Sequence, residues 1–113
     1  MNHETEVKIA VARRAAALME RGECRGASAR DANGNKCLVF EREADRFCAL
    51  GALARASFEI GDLRVSYLNR IEREAKSRLG RSLVVISDKE PGGRALIVAT
   101  LRQLVREWEG AAA

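Results

Sequence analysis

The sequence predicts an α+β domain that is mainly helical, with about four helices packed on a small antiparallel β-hairpin or three-stranded sheet. Hydrophobic residues make up 47% of the chain but aromatic residues only 4%, which favours a core of aliphatic side chains on helices. Apolar residues recur every three or four positions in four segments. Asn33 and Gly34, between the first two segments, form the strongest hairpin signal. At 113 residues the chain fits one domain, residues 1–113, with an ordered core over about 5–109.

The first predicted helix covers residues 5–20. Thr5 can cap its N-terminus, and the carboxylate of Glu6 suits the positive end of the helix dipole. Its apolar residues follow one another at steps of four, four and three, so they share one face: Val7, Val11, Ala15 and Leu18.

The predicted hairpin follows this helix. Asn33 and Gly34 tolerate the positive φ angles of a tight turn, and residues 27–30 and 36–40 are the strands expected on either side. A lone hairpin is marginally stable in water, so it needs further packing. Residues 82–86, SLVVI, are the candidate third strand.

The second predicted helix covers about residues 45–57. Its core stripe, spaced by three or four residues, comprises Phe47, Leu50, Gly51, Ala54 and Phe58. Small side chains recur every fourth residue along one side, which would let a neighbouring helix approach closer than the usual distance of about 8–10 Å. We therefore interpret Cys48 as a small packing residue. A nucleophilic Cys48 in the first helical turn would need a base, and the single histidine, His3, lies in a terminal segment. The row of small residues comprises Ala44, Cys48, Ala52 and Ala56.

Two further helices complete the predicted fold. The third covers residues 62–79, with Asp62 as its N-cap and Gly80 at its C-terminal end, and the last runs from about 91–94 to Trp108. Together with the earlier elements they define the expected core: Val11, Leu18, Phe47, Leu50, Ala54, Leu68, Ile71, Leu101, Val105 and Trp108.

Three short motifs resemble a family of small uncharacterised bacterial and phage domains. ARDANG at residues 29–34 matches its "ARD-x-x-G" pattern, and FCALGAL at residues 47–53 matches its "(W/F)C-x-x-GA-(I/L)" helix. Asp88 matches a late aspartate that precedes a final amphipathic helix. The chain departs from the pattern at Cys24, where the family has tryptophan, and at Ser87, where asparagine is common. The resemblance implies the fold and transfers no catalytic residue, because the family has no established activity.

Composition bears on where the protein is located and on whether it needs disulfides, a metal or a cofactor. No apolar run approaches the roughly 20 residues that span a bilayer, and the start MNHETEVK is acidic where a signal peptide is basic. We therefore expect a cytoplasmic protein with no membrane contact. The three cysteines form no CxxC pair, so we expect neither a disulfide framework nor a metal site, and no motif calls for a cofactor.

The loop of residues 88–94 is the candidate site for a small anionic ligand. Glycines before a helix can present backbone N–H groups to an anion, with lysine or arginine adding charge. The phosphate-loop motifs are missing, so a tight turn that only connects two elements is the alternative. The residues of this candidate site are Asp88, Lys89, Gly92, Gly93 and Arg94.

The third predicted helix is the candidate surface for a partner or a nucleic acid. The net charge is +4, and Arg64, Arg70 and Arg73 are the residues that could contact phosphates or an acidic protein. The same helix also carries Glu–Lys and Glu–Arg pairs four residues apart, which are typical of a self-neutralised, solvated face.

These observations favour a non-enzymatic binding or regulatory protein that acts by surface contact with a protein partner. A phage or mobile-element inhibitor of a nucleic-acid-handling machine is one concrete form. The alternatives are a small enzyme or anionic-ligand binder that uses residues 88–94, and direct nucleic-acid binding through the third helix. A concave, charge-converging loop would favour the ligand binder, whereas an exposed apolar patch would favour the partner interface.

Overall fold

The computed structural model describes residues 2–62 and 64–112. Over this part of the chain it contains five helices and one two-stranded antiparallel sheet, so the mainly helical α+β class is confirmed and the expected helix number rises by one. The additional helix replaces the candidate third strand. In chain order the elements are α1 (His3–Met19), β1 (Ala29–Asp31), β2 (Ala44–Phe47), α2 (Ala49–Ile60), α3 (Val65–Leu79), α4 (Leu83–Lys89) and α5 (Gly93–Ala112).

Helix α1 lies at the centre of the fold and packs against α2, α3 and α5. It begins two residues earlier than predicted because Asn2, rather than Thr5, is the N-cap: the Asn2 side chain accepts a hydrogen bond from the Thr5 N–H at 2.8 Å. Its central position makes the helix buried on more than the one predicted face. The buried residues are Val7, Ile9, Val11, Ala12, Ala15, Ala16, Leu18 and Met19.

The sheet pairs β1 with β2, not with the segment that follows the turn. A turn forms at Gly34, with φ +84°, but Asn33 does not share the predicted positive φ. Residues 36–40 contribute only an isolated bridge between Arg30 and Lys36. The regular partner of Ala29 is Phe47. Both of those residues are buried, so the pairing of β1 with β2 places two apolar side chains in the core.

The candidate third strand, residues 82–86, is wrong. These residues lie at the start of α4, whose N-cap Ser82 accepts a hydrogen bond from the Val84 N–H at 3.2 Å. Leu83 and Ile86 are fully buried one helical turn apart, while Val84 points outward. A short apolar run has no periodicity that separates a strand from a helix, and here the tertiary contacts favour the helix.

Helix α2 begins at Ala49, later than predicted, because residues 44–47 form β2. The row of small residues is therefore not one helical row: Ala44 lies in the strand, Cys48 is the N-cap, and Ala52 and Ala56 are buried in the helix. The tight packing that the row predicts applies to the last two residues only.

The bounds of the other helices agree closely with the prediction. Helix α3 begins at Val65, three residues later than predicted, and its N-cap is Arg64 rather than Asp62. The Asp62 carboxylate instead accepts from the Arg64 N–H at 3.2 Å, before the helix begins. The helix ends at Gly80, with φ +74°, as predicted. Helix α5 begins inside the predicted window and continues past Trp108 to Ala112. Among the described helices, none combines the length and the apolar character needed to cross a membrane.

Six of the ten predicted core residues are buried, namely Val11, Leu18, Phe47, Ile71, Leu101 and Val105. The other four, Leu50, Ala54, Leu68 and Trp108, are only partly buried. Trp108 lies at the core edge because its polar N–H needs a partner. Its Nε1 donates to Glu74 at 2.9 Å, and the Lys8 ammonium lies 4.7 Å from the ring centroid.

Candidate functional site

The predicted ligand loop, residues 88–94, is exposed at Lys89 and Gly92 and buried at Gly93. Its first residues end α4, its middle forms a tight turn, and its last residues begin α5. The Asp88 carboxylate accepts a hydrogen bond from the Gly26 N–H at 3.2 Å, and an Arg94 guanidinium N–H donates to the Met19 carbonyl at 3.3 Å. Two of the three charged groups that were expected to bind a ligand, those of Asp88 and Arg94, are thus engaged in contacts within the chain.

The two glycines of this loop have conformational roles. Gly92 adopts φ +71°, which an L side chain rarely does. A Cβ on Gly93 would lie 2.0 Å from the Ile86 carbonyl oxygen, so only glycine permits that approach of α5 to α4. Lys89 is exposed at the end of α4. This geometry favours the alternative in which residues 88–94 are a tight turn that connects two helices, rather than a binding site for an anion.

Arg25, in the loop between α1 and β1, connects that loop to residues 88–90 by hydrogen bonds. Arg25 donates to the backbone carbonyls of Asp88 at 3.1 Å and Glu90 at 3.2 Å, and the Arg25 carbonyl in turn accepts from Arg30 at 3.0 Å. We call the contacts of Arg25, Gly26, Arg30, Asp88 and Glu90 the Arg25 clasp. The clasp satisfies carbonyls at the C-terminal end of α4, which have no helical partner of their own.

Gly51, the glycine of the FCALGAL motif, allows a close contact between two backbone segments. The Cys48 N–H donates to the Ser28 carbonyl at 3.2 Å, which brings that carbonyl to the start of α2. A Cβ on Gly51 would lie 2.0 Å from the same oxygen. The motif therefore joins the β1 segment to α2 through backbone atoms, and a larger residue at position 51 would separate them.

The Cys48 thiol is a helix cap rather than a prepared nucleophile. Its sulfur accepts from the Gly51 N–H at 3.4 Å. Burial raises the pKa of Cys48, against the lowering effect of the Gly51 and Leu50 N–H groups, and the Asp88 carboxylate raises it further. The only histidine, His3, places Nε2 at 3.3 Å from the Asp62 carboxylate instead.

Cys24 is buried, and its thiol donates to the Ala27 carbonyl at 3.3 Å. Burial also raises its pKa, so this thiol stays protonated at neutral pH. All three cysteines are free, and the described residues contain no group of three or more histidine, cysteine, aspartate or glutamate side chains that could hold a metal ion.

The three arginines predicted on α3 do not act as one stripe. Arg70 pairs with Glu4 of α1, a contact that lowers the pKa of that carboxyl. Arg64 donates to the Tyr67 hydroxyl at 2.5 Å and lies near Asp62. Arg73, with neighbours on the same helix, lines a shallow open hollow. Two of the three predicted partner-binding arginines therefore have contacts inside the molecule.

Most other exposed arginines also have carboxylate partners. Such exposed pairs each contribute about 0–1 kcal/mol to stability, and each carboxylate offsets the charge of the guanidinium beside it. The pairs that link separate elements are Arg13–Glu109, Arg14–Glu59, Arg78–Glu107, Arg81–Glu90 and Arg102–Glu20.

The site that the sequence reasoning missed is an exposed aromatic pair. The rings of Phe40 and Phe58 lie 5.1 Å apart between centroids, yet the residues are 52% and 47% exposed. Leu38, in the turn before Phe40, is 69% exposed. We call these three residues the aromatic patch. The LVF run was a signal for it, but the predicted strand and core stripe assigned these side chains to the interior.

A second arginine holds the loop that carries the patch. Arg55 of α2 donates to the carbonyls of Val39 at 3.0 Å and Glu41 at 2.8 Å, and its Nε pairs with Glu59 at 3.1 Å. Glu59 also accepts from Arg14, and these guanidinium groups lower its pKa. The loop is therefore anchored behind the patch while the aromatic rings face solvent.

The fold and these surfaces define a small, mainly helical α+β domain whose conspicuous motifs serve packing. The model of DUF6197, a family of unknown function, matches residues 4–108, and the chain belongs to that family. This confirms the uncharacterised family that the motifs indicated. Comparison with curated proteins and with solved structures finds no match.

Proposed function

We propose that the chain is a non-enzymatic binding protein of the cytoplasm that acts through contact of its aromatic patch with a protein partner. The observation that carries the proposal is the half-exposed pair of Phe40 and Phe58, whose rings are in contact at an interplanar angle of 49°. Exposed apolar clusters mark interaction sites, and aromatic side chains are the residues that most often anchor protein interfaces.

The anchoring of the loop supports a role in binding. A flexible loop loses conformational entropy when a partner orders it, which weakens association. Here the Arg55 guanidinium already bridges two carbonyls of the loop, so Phe40 is displayed on a preorganised backbone. An inhibitor of a nucleic-acid-handling machine remains one form that such a partner interaction could take.

The two other candidate functions have less support. A small enzyme or anionic-ligand binder at residues 88–94 would need Asp88 and Arg94, whose side chains are hydrogen-bonded to backbone groups of the chain. Direct nucleic-acid binding through α3 would need Arg64 and Arg70, which contact neighbouring side chains. Either function would first have to break these contacts.

The test compares proteins that co-purify with tagged chain from its native host, measured by quantitative mass spectrometry. The variant Phe40→Ser with Phe58→Ser should lose a partner that the unaltered chain retains. Truncated interface hot spots cost about 2 kcal/mol or more, so the recovery of that partner should fall by about tenfold or more. Val65→Ser is the matched control, because Val65 is 65% exposed on α3 and lies outside the patch.

Phe40 and Phe58 also pack on each other, so replacing both could change the folding of the chain. A milder variant separates an effect on binding from an effect on folding. Leu38→Ser changes a side chain that is 69% exposed and should leave the unfolding free energy within about 0.5 kcal/mol. It should still reduce partner recovery. Equal recovery with the unaltered chain, the control and both patch variants would contradict the proposal.

A further inference from the structure

A groove outside the aromatic patch runs between α1 and α5. It consists of two adjoining hollows of about 430 Å³ and about 190 Å³, which meet at Arg102. The groove follows α5 from Arg94 to Glu109, which at about 1.5 Å per helical residue is a length of about 22 Å. Its apolar floor consists of Ala95, Val98, Ala99 and Val105.

The rim of the groove carries an excess of positive charge. Four arginines and two glutamates line it, so two guanidinium charges exceed the carboxylates. Arg13 is paired with Glu109 at 2.7 Å and Arg102 with Glu20. The other two arginines are Arg94, which donates to a backbone carbonyl, and Arg106, which has no ion pair among the described residues.

We propose that this groove binds an amphipathic, acidic helix of a partner protein. The small side chains of the floor let a second helix approach α5 closely. The apolar face of the partner helix packs on Ala95 and Ala99, and its carboxylates lie beside Arg94 and Arg106. This surface is independent of the aromatic patch, and the chain would then have two separate contacts with proteins.

Two other occupants fit the groove less well. A second copy of the chain would bring the same excess of guanidinium charge to its own symmetric surface, and the two faces would repel. A nucleic acid would gain phosphate contacts at the rim, but the lining residues include no aromatic side chain on which a base could stack. The apolar floor would stay unused.

The probe for this proposal is a synthetic helical peptide with leucine on one face and glutamate at both edges of that face. Added to the full ¹⁵N-labelled chain at physiological salt, it should shift the backbone amide signals of Ala95, Ala99, Arg102 and Arg106. The same peptide with lysine in place of glutamate should leave them unchanged. No shift of these amides up to millimolar acidic peptide would overturn the proposal.

Charge variants make the test specific to the groove. Arg106→Glu should weaken binding of the acidic peptide by about tenfold or more, while Arg73→Glu, the same change on exposed α3, should leave the dissociation constant within about twofold. Equal weakening would mean that the peptide senses only net charge. Tighter binding of a short DNA duplex at the same amides would likewise overturn the proposal. Because the probe does not depend on the aromatic patch, its failure leaves the proposed function standing.

Discussion

The Arg25 clasp and the loop behind the aromatic patch share one device, a guanidinium group that bridges two backbone carbonyls. In the clasp, Arg25 bonds the carbonyls of Asp88 and Glu90 and closes a loop against the junction of α4 and α5. Behind the patch, Arg55 bonds two carbonyls of the 36–43 loop and leaves the side chain of Phe40 in solvent.

The two regions differ in how their sequences relate to their exposure. The clasp gathers the residues that look functional in the sequence, a charged loop with glycines and a late aspartate, and its polar groups bond one another. The patch lies outside the recognised motifs, and its apolar side chains are 47% to 69% exposed. In this molecule the conspicuous motif is closely packed, whereas the exposed apolar side chains lie in a stretch that carries no motif.

The largest loss of stability is expected from Gly51→Ala, a substitution in the closely packed FCALGAL motif. The new Cβ would lie 2.0 Å from the Ser28 carbonyl oxygen, and backbone would have to move. We expect the free energy of unfolding to fall by about 3 kcal/mol or more, measured by denaturant titration. Gly110→Ala is the control, because nothing lies within 4 Å of its Cβ position and the helix should gain up to about 1 kcal/mol. A tolerated Gly51→Ala would refute the close approach.

Cys48→Leu should have the next largest effect. The longer side chain enters a partly buried cap position beside β2 and α2, and overpacking should lower the unfolding free energy by about 1–3 kcal/mol. Cys48→Ser keeps a small side chain with a better capping acceptor and should cost little. A harmless leucine would show that the start of α2 has room that the structure does not.

Arg25→Ala should lower the unfolding free energy somewhat less, by about 1–2 kcal/mol, because it removes two hydrogen bonds from a partly buried guanidinium to carbonyls. Hydrogen exchange should show faster opening of residues 24–28 and of the α4 end. Arg73→Ala, an exposed change on α3, should stay within about 0.5 kcal/mol. If both variants behave alike, the clasp does not hold the loop.

The smallest expected effect is on the pH dependence of stability, which should differ between the contacts of Arg55 and those of Arg25. Arg14 and Arg55 lower the pKa of Glu59, so its stabilising contribution is present above the unfolded value of 4.5 and is lost as pH falls through the folded pKa. The stability difference between the unaltered chain and Glu59→Gln should shrink from about pH 6 to about pH 3. The difference for Arg25→Ala should persist, because its carbonyl acceptors do not titrate there.

Much of the fold could be predicted from the sequence, and less of the candidate site. The repeats of Ile71 and Ala75 in α3, and of Leu101 and Val105 in α5, bury one helical face and therefore appear in the sequence as a period. Phe58 followed the same period in α2 and was placed in the core, but the structure leaves it 47% exposed. Phe58 contacts Phe40, which is itself half-exposed, and periodicity contains no information about which neighbours are present.

By itself, the sequence determined the mainly helical class, the turn at Gly34, the end of α3 at Gly80 and membership of an uncharacterised family. These features depend on residues close together in the chain, or on the backbone freedom of a single glycine. Only the tertiary structure decided that β1 pairs with β2, that residues 83–89 are helical, and that Asp88 faces inward while Phe40 faces solvent. Each of those outcomes depends on contacts between segments far apart in the chain, whose energies no local pattern contains.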